Sequence, residues 1–402
     1  MLDIQVREGG GRRTRSGRLG VGAVTLGIFT VMTAELLPVG LLTPVAADLG
    51  VSTGTAGLTV TVPGLVAAVS APLIATRAAG ADRRTVLVLL MALVAAANLG
   101  TALANHMAAV LGARALLGVA IGGFWALAGG LAPRLVPAAG VGRATAVIFG
   151  GVSAAAVLGV PAATVAAERA GWRGAFAAVG VMAVLATGAL AALLPALPGA
   201  AGGPGRGGGV ATLLRLPRRD ARVRVGLLLT LLLVTGHFLA YSFVRPVLTE
   251  HAHVPERFVG LLLLGHGIAG VAGNFLAGPR AARSPLRTLA ALGAGLAVAL
   301  TALALAGGAP PAGAALLILW GLAYGGVSVG LQSFFMAVAA PEDVETATGL
   351  YVSVFCLSIA LGALLGGLVT DATTFTVVLA TGAALTLAAC LTAALSGRNP
   401  TS

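Results

Sequence analysis

Twelve apolar stretches, separated by short charged or Gly/Pro-rich breaks, run the length of this chain. They lie near 20–43, 55–76, 85–105, 108–132, 143–166, 173–195, 225–249, 257–279, 286–307, 312–338, 345–369 and 373–396. A helix that crosses a bilayer needs about 20 apolar residues, so each stretch is predicted to span a membrane. The first, Val21–Leu42, follows Arg12, Arg13, Arg15 and Arg18 and has the flank of a signal peptide. It is longer than the roughly 7–15-residue apolar core of such a signal and polar at its centre, so it is read as a retained span. Composition agrees with the pattern. Hydrophobic residues make up 58% and charged residues 9% of the 402 residues, which is more apolar sequence than a soluble core needs. The expectation is an all-α integral membrane protein.

The longest polar break is the Gly-, Pro- and Arg-rich stretch 197–224, expected to be a linker between a six-helix half at 20–196 and another at 225–396, with tails at 1–19 and 397–402. A shift of 203 residues tests for duplication. Gly57, Gly64, Gly118, Gly122, Gly123 and Gly159 then meet Gly260, Gly267, Gly321, Gly325, Gly326 and Gly362, while Arg77 and Arg84 meet Arg280 and Arg287. Six of the fifteen glycines between 57 and 159 are matched, against about two by chance. Matched loops fall on the same side, so the halves are parallel repeats with a site expected between them near the midplane.

The net charge of +12 comes from 25 arginines and no lysine. With the N-terminus inside, 20 arginines fall in inner segments and 3 in outer loops, the positive-inside asymmetry. Basicity therefore reports topology, with both termini cytoplasmic, and not a nucleic-acid surface. Cys356 and Cys390 sit in apolar runs and read as packing residues. No metal or cofactor is expected.

Of thirteen acids, Glu35 alone lies deep inside a span. Placing an ionisable group there costs about 2.5 kcal/mol or more, and such groups usually face a partner or a substrate path. Arg114 in the fourth span lies at a similar depth, about 10–14 Å below the outer surface. Two readings follow: a proton-coupling pair in which Glu35 titrates, or a static ion pair between helices. Pro38 frees the carbonyl of Ala34 beside Glu35, marking either a broken-helix site or an ordinary kink. His237 aligns near Glu35 at offset 202 and has Tyr241 one turn on; it is a second proton site, a hydroxyl partner or a satisfied core histidine. His266, Asn274 and Gln332 are candidate cavity residues, though amides also join helices. Trp125 and Tyr324 are candidates for stacking a ring, with core packing as the alternative. Trp172 and Arg173 read as interfacial anchors, and the cluster of His251, His253, Glu250 and Glu256 as a solvated loop.

Several motifs carry a family resemblance. Thr33-Ala34-Glu35-Leu36-Leu37-Pro38-Val39-Gly40-Leu41-Leu42 resembles the first helix of the sugar-efflux (arabinose-efflux-permease-like) branch of the drug:proton antiporters, within the major facilitator superfamily. Ala113-Arg114-Ala115-Leu116-Leu117-Gly118 resembles the family's Arg-x-x-x-Gly motif, and Leu158-Gly159-Val160-Pro161 with Gly171-Trp172-Arg173 resembles its antiporter motif. In the loop after the second span Thr76 stands where the family has an acid, so Arg77, Arg83 and Arg84 are left as anchors or as a weakened relay. The resemblance implies twelve helices in two parallel six-helix halves. It also implies a conformational role for Gly159 and Pro161, and alternating access in a bacterial inner membrane.

No nucleotide-binding loop and no nucleophile–base set is present in the sequence, so no enzyme is expected and an ion gradient must supply the energy. The function expected is a monomeric, proton-coupled exporter of a small molecule, with a sugar or related polar metabolite favoured by the resemblance. The alternatives are a multidrug antiporter, a proton-independent facilitator or a membrane sensor.

Overall fold

A computed structural model describes residues 2–78, 80–128, 131–198, 210–340 and 344–397. The described residues are helical with turns and contain no strand. Twelve helical segments are long and apolar enough to span a bilayer. In the first half they are α1 Gly17–Gly40, α2 Thr53–Ile74, α3 Arg83–Leu103, α4 Met107–Ala128, α5 Ala138–Gly159 and α6 Val165–Leu193. In the second they are α7 Ala221–Tyr241, α8 Glu256–Arg283, α9 Pro285–Ala306, α10 Pro310–Val338, α11 Ala347–Ala372 and α12 Phe375–Ser396. A further helix, Val210–Arg219, lies within the stretch expected to be linker, of which residues 199–209 fall outside the described residues.

Local chemistry sets the breaks. The α-helical part of α1 ends at Leu36, and Leu37–Gly40 tightens into a 3₁₀ turn because Pro38 offers no N–H to Ala34. Gly50, at φ 63°, terminates the short helix Leu42–Leu49 in the left-handed conformation. Asp82 and Asp220 cap α3 and α7 by accepting from the N–H groups of Arg84 and Arg222 at 3.0 and 2.8 Å. Gly171, at φ 69°, puts a kink in the first turns of α6.

Each half has its own apolar core, one centred on α1, α3, α4 and α6 and the other on α7, α9, α10 and α12. The halves meet along α2 against α11 and α5 against α8, where small residues allow backbone approach. A Cβ on Gly64 would lie 3.0 Å from Ala360 Cβ, and one on Gly267 2.6 Å from the carbonyl oxygen of Ala156. Hydrogen bonds cross between the halves at the face opposite the termini. There Asp371 accepts from Ser52 Oγ at 2.6 Å and from the N–H of Gly54 at 2.9 Å. Arg245 donates to the carbonyl of Gly40 at 3.0 Å and reaches Glu256 at 3.5 Å. The protein is therefore closed at that face.

Candidate functional site

Glu35 and Arg114 do come together, but not as a carboxylate–guanidinium pair. Arg114 is 1% exposed and directs its fork at main-chain oxygens. Nη1 donates to Ala34 O at 3.0 Å, Nη2 to Glu35 O at 3.4 Å and Nε to Thr59 O at 2.9 Å. The pattern has a local cause. Pro38 on α1 and Pro63 on α2 each remove the N–H that would serve the carbonyl four residues earlier, and those carbonyls belong to Ala34 and Thr59. One guanidinium thus satisfies both helix breaks from separate nitrogens, a fixed spread of donors that an ammonium lacks. The Phe176 ring packs 5.8 Å from the Arg114 Cζ atom and fixes its plane. The Glu35 side chain is left 5% exposed, and its Oε2 has no hydrogen-bond partner among the described residues. On the same stretch of α1, Leu36 and Val39 pack against the core of the second half.

The second half answers with rings. His237 stacks on Tyr324 with centroids 3.3 Å apart and planes 4° from parallel. Tyr241 lies 4.8 Å from His237 and 5.0 Å from His266, each pair tilted by 21°. Trp320 meets His237, Tyr241 and His266 edge-on. Two hydrogen bonds fix the imidazole tautomers. Trp320 Nε1–H can only donate, so His237 Nδ1, 3.0 Å away, is the bare acceptor and its proton sits on Nε2. The carbonyl of Leu317 can only accept, so His266 Nδ1, 3.0 Å away, carries the proton and its Nε2 is the acceptor. Both Nδ1 atoms turn toward α10, which leaves one imidazole donor and one imidazole acceptor on the opposite edges. In this arrangement His237 is a poor proton carrier, because protonating Nδ1 would set two N–H groups head to head. Tyr324 remains half-buried.

Other candidates fall elsewhere. Trp125 lies near the terminus-side end of α4 and stacks on Phe149 at 6.2 Å, away from the ring cluster. Asn274 is half-buried on α8 two turns below His266, and Gln332 is exposed on the lower part of α10. Gly159 ends a π-turn at Ala155–Gly159 and abuts Thr33, where a Cβ would lie 3.1 Å from the threonine Cβ. Pro161, buried just beyond, withholds the N–H that a regular helix would give Val157, which accounts for the π-turn. Arg77 is exposed; Arg84 Nη2 donates to Ala191 O, while Asp82 accepts from the N–H of Leu197 at 2.9 Å. This loop is thereby tied to the end of α6. Arg245 and Asp371 went unassigned in the sequence. For Arg245 the signal was an arginine inside a span; for Asp371 there was none, because its partners are 317 and 319 residues away.

Comparison with known proteins follows the geometry. The sequence profile of the Major Facilitator Superfamily matches residues 24–336 and 227–402, the whole of both halves. The chain belongs to this superfamily. A purine ribonucleoside efflux pump, NepI of Salmonella paratyphi C, is 36% identical over 87% of this chain and 87% of its own. The transcription regulatory protein OpdE of Pseudomonas aeruginosa is 37% identical over 94% of each chain. Among solved structures, the nucleoside transporter NupG superposes with a TM-score of 0.76 at 12% identity, covering 94% of this chain and 99% of that one. The human organic anion transporter MFSD10 gives 0.70 at 20% identity, with 94% and 99% covered. These two share the fold.

Proposed function

We propose that this facilitator-superfamily protein is a proton-coupled exporter of purine ribonucleosides, working by alternating access across a bacterial cytoplasmic membrane with both termini inside. One observation carries the reading: a buried carboxyl without a hydrogen-bond donor among the described residues sits on the stretch of α1 that packs against the second half, and that half carries an aromatic and imidazole cluster. The sequence alone favoured a sugar. The purine ribonucleoside pump at 36% identity and the half-buried ring of Tyr324 favour a sugar that carries a flat base. Base–aromatic stacking contributes about 1–3 kcal/mol, and the His237 donor and His266 acceptor match the mixed donor–acceptor edge of a purine. The proton belongs to Glu35. A carboxyl with no donor in the state closed at the far face exchanges its proton when the opposite state admits water, so substrate and proton occupy the cavity in alternate states. The exporter is taken to act as a monomer.

The test is transport by proteoliposomes with an acidic lumen and labelled inosine outside. The expected result is inosine accumulation with matching lumen alkalinisation. Equal uptake without a pH gradient would establish a facilitator instead, and preference for arabinose or ethidium over inosine would move the substrate class. A second reading, a membrane-embedded regulator, has the printed name of the Pseudomonas relative behind it. It requires inosine binding by the purified protein with no flux at all.

A further inference from the structure

The connection between α8 and α9 lies on the face that bears the termini and carries Arg280, Arg283 and Arg287, all exposed. The three arginines rim a groove of about 550 Å³ whose walls include Leu276, Leu292 and Leu319. The groove opens to the outside of the bundle, where Phe275 and Leu276 are 73% and 54% exposed. Gly273 and Gly295 line its far end, so an apolar channel runs about 10 Å up the helices from the basic rim. Arg280 gives one N–H to Leu276 O at 2.6 Å. No ion pair recorded among the described residues involves this loop. Ser284, at the N-cap of α9, makes no capping bond with its side chain.

The first half holds the natural control. Offset by 203 residues, Arg77 and Arg84 occupy the places of Arg280 and Arg287. There Asp82 sits among the arginines and Arg84 is tied to Ala191 O, so part of the charge is already matched. In the second half Pro285 stands at the position of Asp82, and the positive charge faces outward over an apolar channel.

We propose that this groove seats an anionic glycerophospholipid of the surrounding leaflet. The three guanidiniums hold its phosphodiester, and one acyl chain lies along Leu276 and Leu319. Guanidinium forks suit phosphate oxygens, and each basic residue near the surface favours an anionic lipid by about a factor of five. The site is separate from the transport cavity and would set the lipid requirement of the second half.

Native mass spectrometry of the full-length, delipidated protein tests it, with dioleoylphosphatidylglycerol, dioleoylphosphatidylcholine, glycerol phosphate and inorganic phosphate as probes. The expected result is at least about tenfold preference for phosphatidylglycerol over phosphatidylcholine. That preference should be largely lost in an Arg280→Gln/Arg283→Gln/Arg287→Gln variant, and lipid occupancy lowered in Ala291→Trp, which fills the groove without changing charge. Arg143→Gln, in the first turns of α5 on the same face, should leave both unchanged. Equal loss in Arg143→Gln would overturn the proposal in favour of general surface charge. Tight binding of glycerol phosphate or phosphate alone would make the site a simple anion site. No effect of either groove variant would also overturn it.

Discussion

The two halves align at an offset of 203 residues, yet they solve the problem of polar groups in a membrane in opposite ways. At mid-depth the first half keeps a carboxyl and a guanidinium; the second half, at the aligned position, keeps His237 in a cluster of rings. In the first half a buried cation is matched to carbonyls that two prolines have freed, so Arg114 is structural cement and Glu35 is left with a polar atom to spare. In the second half the polar atoms are neutral, and hydrogen bonds from α10 determine which nitrogen donates and which accepts. Under the proposed function, charge that must move and a surface that must recognise are thereby kept on different halves. Such a division lets the proton and the substrate act on one another only through the seam.

The largest effect should come from Glu35→Gln. The amide keeps the size and removes the titration, so proton-driven inosine accumulation should fall about a hundredfold or more. Inosine–inosine exchange, which moves no net proton, should survive. His237→Gln should do the reverse, weakening binding and exchange while any remaining transport stays pH-driven. If the two variants gave the same phenotype, the division between halves would be wrong.

Next in size is Arg114→Ala. It strands the Ala34 and Thr59 carbonyls in a dry interior, at about 3 kcal/mol or more in total, and should lower the thermal midpoint in detergent by several degrees. Arg114→Lys can serve only part of the set and should fall between. A midpoint unchanged in both would show that the prolines' carbonyls find other donors. This clamp was half legible beforehand. Pro38 and the lone Arg114 could be read from the sequence, and so could the carbonyl of Ala34 that Pro38 frees. Pro63 was not connected to them, because no local pattern says that two helices 25 residues apart aim their breaks at one side chain. The twelve spans were legible because apolar length in a bilayer is a one-dimensional property. The ring cluster was legible as residues but not as an object: His237, His266, Trp320 and Tyr324 come from three helices, and their tautomers depend on contacts 51 and 83 residues apart in sequence. Trp125 looked equivalent to Tyr324 by depth and chemistry, and only packing on Phe149 separates them.

A smaller effect is expected for Trp320→Phe. It removes one donor at about 1 kcal/mol, so inosine binding should weaken about fivefold. The sharper readout is His237 itself. With Nδ1 no longer occupied, its imidazole becomes free to take a second proton, and a pH titration followed by ¹⁵N-histidine NMR should show a new transition absent from the wild type. A ring that stays silent in the variant would mean that Trp320 does not fix the tautomer.

The smallest effect distinguishes the outer corners of the halves. In the first, Asp48 accepts from Arg173 and, at 3.1 Å, from Trp172 Nε1. In the second, the corner is held by His251 Nε2 against Leu303 O at 3.0 Å, with no carboxylate. Hydrogen bonding from Arg173 first, then from Trp172, holds the Asp48 carboxyl below the usual carboxylate range. A group whose folded value is depressed contributes stability above its unfolded value, near pH 4, and loses it as pH falls through the folded value. Asp48→Asn should therefore lower the thermal midpoint slightly at pH 7, and the difference from wild type should vanish as pH drops below about 4. The effect is small because the corner is exposed and salt-screened. A deficit that persisted in acid would show that the amide disturbs packing around Trp172, not that a charge was lost. A deficit that faded in acid but was matched by His251→Ala would remove the asymmetry between the corners.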